Sequence, residues 1–98
     1  MRTLDELKSE LEVLKPTLKK RFKVETIEIF GSYARNQAHE KSDVDLLVTY
    51  STTDYDYFTI IGLRNYLRWK LHVKVDVVSK EFLNKHIRDE VLREAIPV

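Results

Sequence analysis

The 98-residue chain contains no cysteine, only two glycines and only two prolines. Without cysteine it cannot form a disulfide, a thiolate metal site or a thiol nucleophile, so redox chemistry is not expected. Long apolar runs are also absent, and the segment Met1–Glu6 is polar where a signal peptide would be apolar. We therefore expect a cytoplasmic protein that does not engage a membrane.

An excess of charge of either sign is also lacking. Lys and Arg total 17 against 16 Asp and Glu, which leaves a formal charge of +1. Because no net field would attract nucleic acid, we do not expect it as a direct partner, and any phosphate recognition must be local. A hydrophobic content of 43% predicts one small domain over residues 1–98. Small domains bury little surface, so a homo-oligomer or hetero-oligomer is expected.

Apolar periodicity predicts alternating helices and strands. A leucine stripe at alternating spacings of three and four predicts a first helix that begins after Thr3, kinks or restarts at Pro16 and ends near Phe22. The pattern then predicts strands at 25–30, 43–50 and 73–78, a short helix at 32–38, and helices at 57–71 and 79–94. The order α-β-α-β-α-β-α predicts an α/β (α+β) fold with a small sheet of about three strands covered by helices.

Gly31 lies between a predicted strand and a predicted helix. Without a side chain its backbone can approach an anion, and free N–H groups together with the Ser32 hydroxyl would form a phosphate cradle. The alternative is that Gly31 only provides an unusual backbone angle and Ser32 only caps a helix. On this motif alone, the alternative is favoured.

Asp43 and Asp45 are separated by one apolar residue in a predicted strand. The strand period places both carboxylates on one face, with Cα atoms about 6.5 to 7 Å apart. Such a pair can share two hard cations, as in sites for in-line phosphoryl displacement. A solvated edge strand is an equally strong alternative, although aspartate is depleted within strands.

Asp76 favours the chemical interpretation. It lies in the apolar run at 73–78, where an unpaired charge would be costly and a neighbouring cation would remove that cost. If this strand lies beside the strand at 43–50, three carboxylates project from one sheet face toward Gly31 and Ser32. Residue 76 on the opposite face would leave no place for the ions.

Three strings of this sequence together resemble a known superfamily: Gly31-Ser32-Tyr33-Ala34-Arg35, Ser42-Asp43-Val44-Asp45-Leu46-Leu47-Val48 and Val75-Asp76-Val77-Val78. They are similar to the polymerase-beta-type nucleotidyltransferases, and more closely to the minimal nucleotidyltransferases, the MNT antitoxins encoded beside HEPN toxins. The resemblance implies a mixed sheet flanked by helices, two magnesium ions and a nucleoside triphosphate, usually ATP. It assigns Asp43 and Asp45 to both ions and Asp76 to the ion that activates the acceptor hydroxyl.

The same resemblance assigns the nucleotide. Ser32 and the Gly31 backbone would hold the terminal phosphates, with Arg35 in support, and Ser42 of the acidic motif is grouped with them. The family often has glycine after the arginine; Asn36 stands there in this chain, a residue that also tolerates a left-handed backbone.

The expected acceptor comes from outside the chain. About twenty residues follow Asp76, enough for only one helix, whereas larger relatives carry an acceptor-binding domain. In the MNT family the acceptor is a tyrosine of the partner HEPN toxin, which adenylylation silences. The resemblance thus implies an adenylyltransferase that converts ATP and a protein to AMP-protein and pyrophosphate, and so acts as an antitoxin.

Two other functions stay open. One is a non-catalytic antitoxin that binds the toxin and neutralises it by contact, and the other is a transferase for small molecules, which the missing acceptor domain disfavours. The aromatic stretch Tyr50–Phe58 is a candidate platform for the nucleobase, although aromatics at helical spacing usually belong to the core.

Overall fold

Residues 2–98, which the computed structural model describes, form three helices and a four-stranded mixed sheet. The helices are α1 (Leu4–Phe22), α2 (Tyr57–Leu71) and α3 (Lys85–Glu94), and a short 3₁₀ helix spans Lys80–Phe82. The strands are β1 (Val24–Phe30), β2 (Val44–Tyr50), β3 (Val75–Ser79) and β4 (Ile96–Pro97). Within residues 2–98, none of the helices is both long and apolar enough to cross a membrane. The predicted α/β class is confirmed.

Helix α1 begins where the sequence predicts. The Thr3 hydroxyl accepts a hydrogen bond from the Glu6 N–H, and the Glu6 carboxylate accepts one from the Thr3 N–H, both at 3.1 Å. This reciprocal pair satisfies two N–H groups that the helix start leaves free. The helix continues through Pro16 rather than restarting there. Pro16 has no N–H to donate to the Glu12 carbonyl. Both residues are exposed, so water can donate a hydrogen bond to that carbonyl instead.

The sheet has the strand order β3-β2-β1-β4. Strand β2 pairs antiparallel with β1 and parallel with β3, and β4 pairs antiparallel with β1. The parallel pair is joined by α2, which crosses over one face of the sheet. The fourth strand was not predicted because its two residues are too short to show an alternating pattern.

The two faces of the sheet are covered differently. One face packs against α1 and α2, with a core that includes Leu11, Leu67, Ile29, Leu46 and Val75. The opposite face carries a smaller cluster, in which Leu47, Leu83 and Val91 pack with Phe30, Val78 and Leu92. Because side chains alternate along a strand, Asp45 and Asp76 lie on this second face, which α3 covers only in part.

The predicted helix at 32–38 is wrong. The segment forms a turn in which the Gln37 N–H donates to the Ser32 carbonyl at 2.8 Å and the Asn36 N–H donates to the Tyr33 carbonyl at 3.3 Å. This pair of bonds, with Asn36 in the left-handed region at φ 58°, is a helix-terminating Schellman arrangement. One turn forms and stops at once, and the expected left-handed backbone of Asn36 is confirmed.

The predicted helix at 79–94 is divided. Strand β3 runs to Ser79, a 3₁₀ turn follows, and α3 begins only after Asn84, whose side chain accepts from the His86 N–H at 2.8 Å. Such a cap inside an otherwise helical pattern sets a new start. All three predicted strand starts also move: β1 begins at Val24 rather than at residue 25, β2 begins one residue after Asp43, and β3 begins at Val75 rather than at residue 73.

Two positions on α1 form a matched test of this core. Leu11 is fully buried, whereas Val13 is 78% exposed two residues later. Leu11→Ala should lower the free energy of unfolding by about 2–5 kcal/mol, because it removes apolar contacts and leaves a cavity. Val13→Ala should change it by no more than about 0.5 kcal/mol. Urea denaturation followed by circular dichroism measures both, and equal losses would contradict the assigned packing.

Candidate active site

The end of β1 and the starts of β2 and β3 carry the predicted site residues. They lie next to one another at one end of the sheet. Since β1 and β2 are antiparallel, the end of β1 at Phe30 pairs with Asp45 at the start of β2. Since β2 and β3 are parallel, Asp45 also pairs in register with Asp76. Paired residues of neighbouring strands share a face, so residues 45 and 76 lie side by side on the same side of the sheet. Asp76 therefore lies on the same side of the sheet as Asp45, as the sequence predicts for these two acids.

Gly31 brings the turn against the acids. It is buried, and its φ of 74° is a backbone conformation that residues with a side chain rarely adopt. A Cβ at this position would collide with Oδ2 of Asp45. The unusual backbone angle considered for Gly31 is therefore present, and the missing side chain lets the turn lie against the Asp45 carboxylate. Tyr33, only 5% exposed, packs into the main core and anchors the turn.

Like charges crowd around Asp45. Burial raises the pKa of Asp45 above its ordinary value, and the carboxylates of Asp76, Asp43 and, more weakly, Glu94 raise it further. The Arg35 guanidinium opposes them. Asp43 itself is partly buried, one residue before the strand. The ionised form of Asp45 is thus disfavoured in the free chain, as expected where a cation is needed.

Asp76 lies on an edge strand of the sheet, since within residues 2–98 β3 pairs only with β2. Its side chain is 50% exposed and forms an ion pair with Arg68 at 3.7 Å. Arg68 also donates from Nε to the Val75 carbonyl at 3.0 Å, which fixes it along the edge strand. The sequence did not indicate Arg68, because its role depends on α2 packing beside β3.

Glu94, the last residue of α3, enters the site from the other side. Its Oε1 accepts from the Gly31 N–H at 3.1 Å, and both of its carboxylate oxygens lie 3.2 Å from Nη1 of Arg35. Glu94 is not among the residues predicted from the sequence. The available signal was a carboxylate at a helix C-terminus, where the helix dipole disfavours negative charge.

The remaining predicted residues differ in their placement. Ser32 is partly buried within the turn, next to Gly31. The Ser42 hydroxyl accepts from the His39 N–H at 2.9 Å, so it closes the turn that precedes Asp43. Tyr50 stacks on Tyr55 with ring centroids 4.1 Å apart, at the other end of β2. Tyr50 lies five positions along β2 from Asp45, which is about 16 Å of extended strand, so the structure does not bring the stacked tyrosines to the acids.

Asp43, Asp45 and Asp76 lie at this end of the sheet but do not form a closed metal-binding cage. Among residues 2–98, no three His, Cys, Asp or Glu side chains stand close enough together to hold a metal ion as they are. Magnesium in proteins is usually held by one or two carboxylates together with substrate phosphates rather than by an all-protein cage. Carboxylate oxygens beside a turn that carries the Gly31 N–H, the Ser32 hydroxyl and the Arg35 guanidinium therefore fit magnesium that arrives with a nucleotide.

Comparisons with known proteins agree with this geometry. The family model described as polymerase beta, nucleotidyltransferase, matches residues 12–98. The protein adenylyltransferase MntA of Thermococcus cleftensis is 42% identical over 98 residues, covering 100% of this chain and 98% of its own. A candidate protein adenylyltransferase of Methanocaldococcus jannaschii is 42% identical over 99 residues, with both chains covered completely.

Solved structures show the same fold. A candidate minimal nucleotidyltransferase superposes with a TM-score of 0.82 at 36% identity, covering 99% of this chain and 97% of its own. A chain of a toxin-antitoxin complex crystallised with AMP-PNP gives a TM-score of 0.73 at 26% identity, covering 90% and 70%. The chain therefore belongs to the polymerase-beta nucleotidyltransferase family, as a minimal nucleotidyltransferase homologous to the MntA protein adenylyltransferases of HEPN/MNT toxin-antitoxin systems.

Proposed function

We propose that this chain transfers AMP from magnesium-bound ATP to a tyrosine of a partner HEPN toxin and so acts as its antitoxin. The observation that carries the proposal is the in-register pairing of Asp45 with Asp76, at the point where Gly31 lies against Asp45. The MntA adenylyltransferase of Thermococcus cleftensis and the AMP-PNP-bound toxin-antitoxin complex support the nucleotide and the class of acceptor.

The carboxylates would hold two magnesium ions. Asp43 and Asp45 would contribute to both, and Asp76 would complete the one nearer the acceptor. When bound, the ions neutralise charge that develops on the entering and leaving oxygens. The raised pKa of Asp45 supports this assignment, because a cation would relieve the repulsion from Asp76 and Asp43.

The turn would hold the triphosphate. Gly31 has no side chain to obstruct its N–H, Ser32 adds a hydroxyl, and Arg35 is 47% exposed and so can reach a terminal phosphate. Ser42 would contribute by shaping the turn before Asp43. The chain's part is therefore mainly to position charge, as in other phosphoryl transfers.

The reaction balances without a covalent enzyme intermediate. The tyrosine oxygen forms a bond to the α-phosphorus of ATP, the bond to the bridging oxygen on the β side breaks, and pyrophosphate leaves. Asp76 would accept the phenolic proton, since it lies half exposed at the open edge of the sheet. An acceptor protein can approach this edge because no further strand of residues 2–98 covers β3.

Transfer is tested by intact mass. Incubated with the chain and Mg-ATP, the partner toxin should gain the mass of AMP, and a toxin lacking its acceptor tyrosine should not. The double variant Asp43→Asn with Asp45→Asn should lower the transfer rate at least about 10²-fold, since it removes preorganised charge from the reacting centre. Asp89→Asn, at an exposed position of α3, is the matched control and should retain the parent rate.

The outcomes separate catalysis from contact. A toxin that stays unmodified by the intact chain would refute AMP transfer. A double variant that binds and neutralises the toxin as well as the parent would instead favour an antitoxin that works by contact alone.

Metal and pH should affect stability through Asp45. With its pKa raised in the folded chain, Asp45 binds more protons folded than unfolded, so without metal its contribution to stability falls as pH rises. The loss should begin near the unfolded pKa of about 4 and end once the folded pKa is passed. The melting temperature of Asp45→Asn should therefore fall less than that of the parent as pH rises. At pH 7 the variant should have the higher melting temperature.

Magnesium should raise the midpoint of the parent at pH 7 and have a smaller effect on Asp45→Asn, because ligand binding stabilises only the folded state that binds it. Asp89→Asn should follow the parent in both respects. An Asp45→Asn chain that is less stable than the parent in metal-free buffer at pH 7 would argue against the charge crowding described above.

A further inference from the structure

We propose that Glu94 is an internal competitor for the phosphate cradle: its carboxylate occupies the Gly31 N–H and Arg35 in the nucleotide-free chain, and the polyphosphate displaces it. The inference deepens the proposed function and rests on its assignment of Gly31, Ser32 and Arg35 to the phosphates.

The contacts of Glu94 are those that a phosphate group would make. A backbone N–H at a glycine turn and a guanidinium are the donors that recur in phosphate sites, and Glu94 takes both within 3.2 Å. Its side chain is only 18% exposed, so it is seated in the site rather than extended into water. A carboxylate on these donors is a chemical stand-in for a terminal phosphate.

The negative charge of Glu94 is unfavourable in every other respect. It lies at the C-terminus of α3, where the helix carbonyls repel an anion, and it adds to the repulsion that raises the pKa of Asp45. A neutral glutamine could accept the same bond from Gly31. The charge therefore serves no packing need, and in the part of the chain that the structure describes its partners are Gly31 and Arg35.

Displacement requires only a side-chain rotation. The backbone around Glu94 is fixed on both sides: Val91 packs against Leu47, and Ile96 pairs with Ile29 of β1. The carboxylate can thus leave the cradle while α3 and β4 stay in place. The consequence is a threshold: an anion replaces Glu94 only if it binds these donors better than one carboxylate does, which favours a metal-bound triphosphate over a single phosphate.

The test measures binding of inorganic tripolyphosphate with magnesium by isothermal titration calorimetry. Glu94→Gln should lower the Kd about three- to tenfold, the scale of removing one partly exposed competing ion pair. Glu90→Gln removes the same charge one turn earlier at an exposed position and should leave the Kd unchanged. In the parent, tripolyphosphate should shift the NMR signals of the Glu94 side-chain carboxyl and the Gly31 amide together.

Folded Glu94→Gln that binds tripolyphosphate equally or more weakly would overturn the proposal, and so would a parent that binds tripolyphosphate with no change at Glu94 or that does not bind it at all. The NMR experiment decides the question if the variant fails to fold. Because no acceptor and no transfer are involved, tighter binding by Glu94→Gln without AMP transfer to the toxin would refute the proposed function alone.

Discussion

The parallel pairing of β2 with β3 is the constraint on which the site depends. It places Asp45 directly beside Asp76, although thirty residues and a helix separate them in the chain. The antiparallel pairing of β1 with β2 places Gly31, which follows β1, at the same end of the sheet. A slip of one residue in the parallel register would turn one of the two acids to the opposite face. The buried apolar residues of both strands prevent that slip, so packing of the core and position of the acids are one requirement.

The resting site is held together by its own charges. Asp76 is paired with Arg68, Arg35 is paired with Glu94, and Asp45 is left crowded and partly buried between them. Such an arrangement is stable enough to fold but poor at satisfying the acid at its centre. Under the proposed function, a magnesium nucleotide would supply both missing charges, a cation for the acids and an anion for Arg35. The repulsion around Asp45 in the free chain and the proposed affinity for that ligand would then have the same origin.

Much of this was predictable because it follows local rules. The extent of α2 and the strand positions follow from periodicity, and the acids were identifiable because aspartate is unexpected inside apolar strands. The sequence predicts a helix at 32–38 where the structure has a turn, because the left-handed backbone of Asn36 ends the helix after one turn. Arg68 and Glu94 were not predicted because their partners are set by strand order and by the packing of α3. The local sequence does not name these partners, although a carboxylate at the end of α3 is a local sign that Glu94 needs one.

The central claim, that the acids at this edge share bound metal, is tested most directly by titrating the isotope-labelled chain with Mn²⁺ and a non-hydrolysable ATP analogue. Paramagnetic broadening should be strongest for the NMR signals of Asp43, Asp45 and Asp76 and should reach the amide of Gly31. Broadening centred instead on the acidic surface at the start of α1, where Asp5, Glu6 and Glu10 line an open depression, would contradict the account.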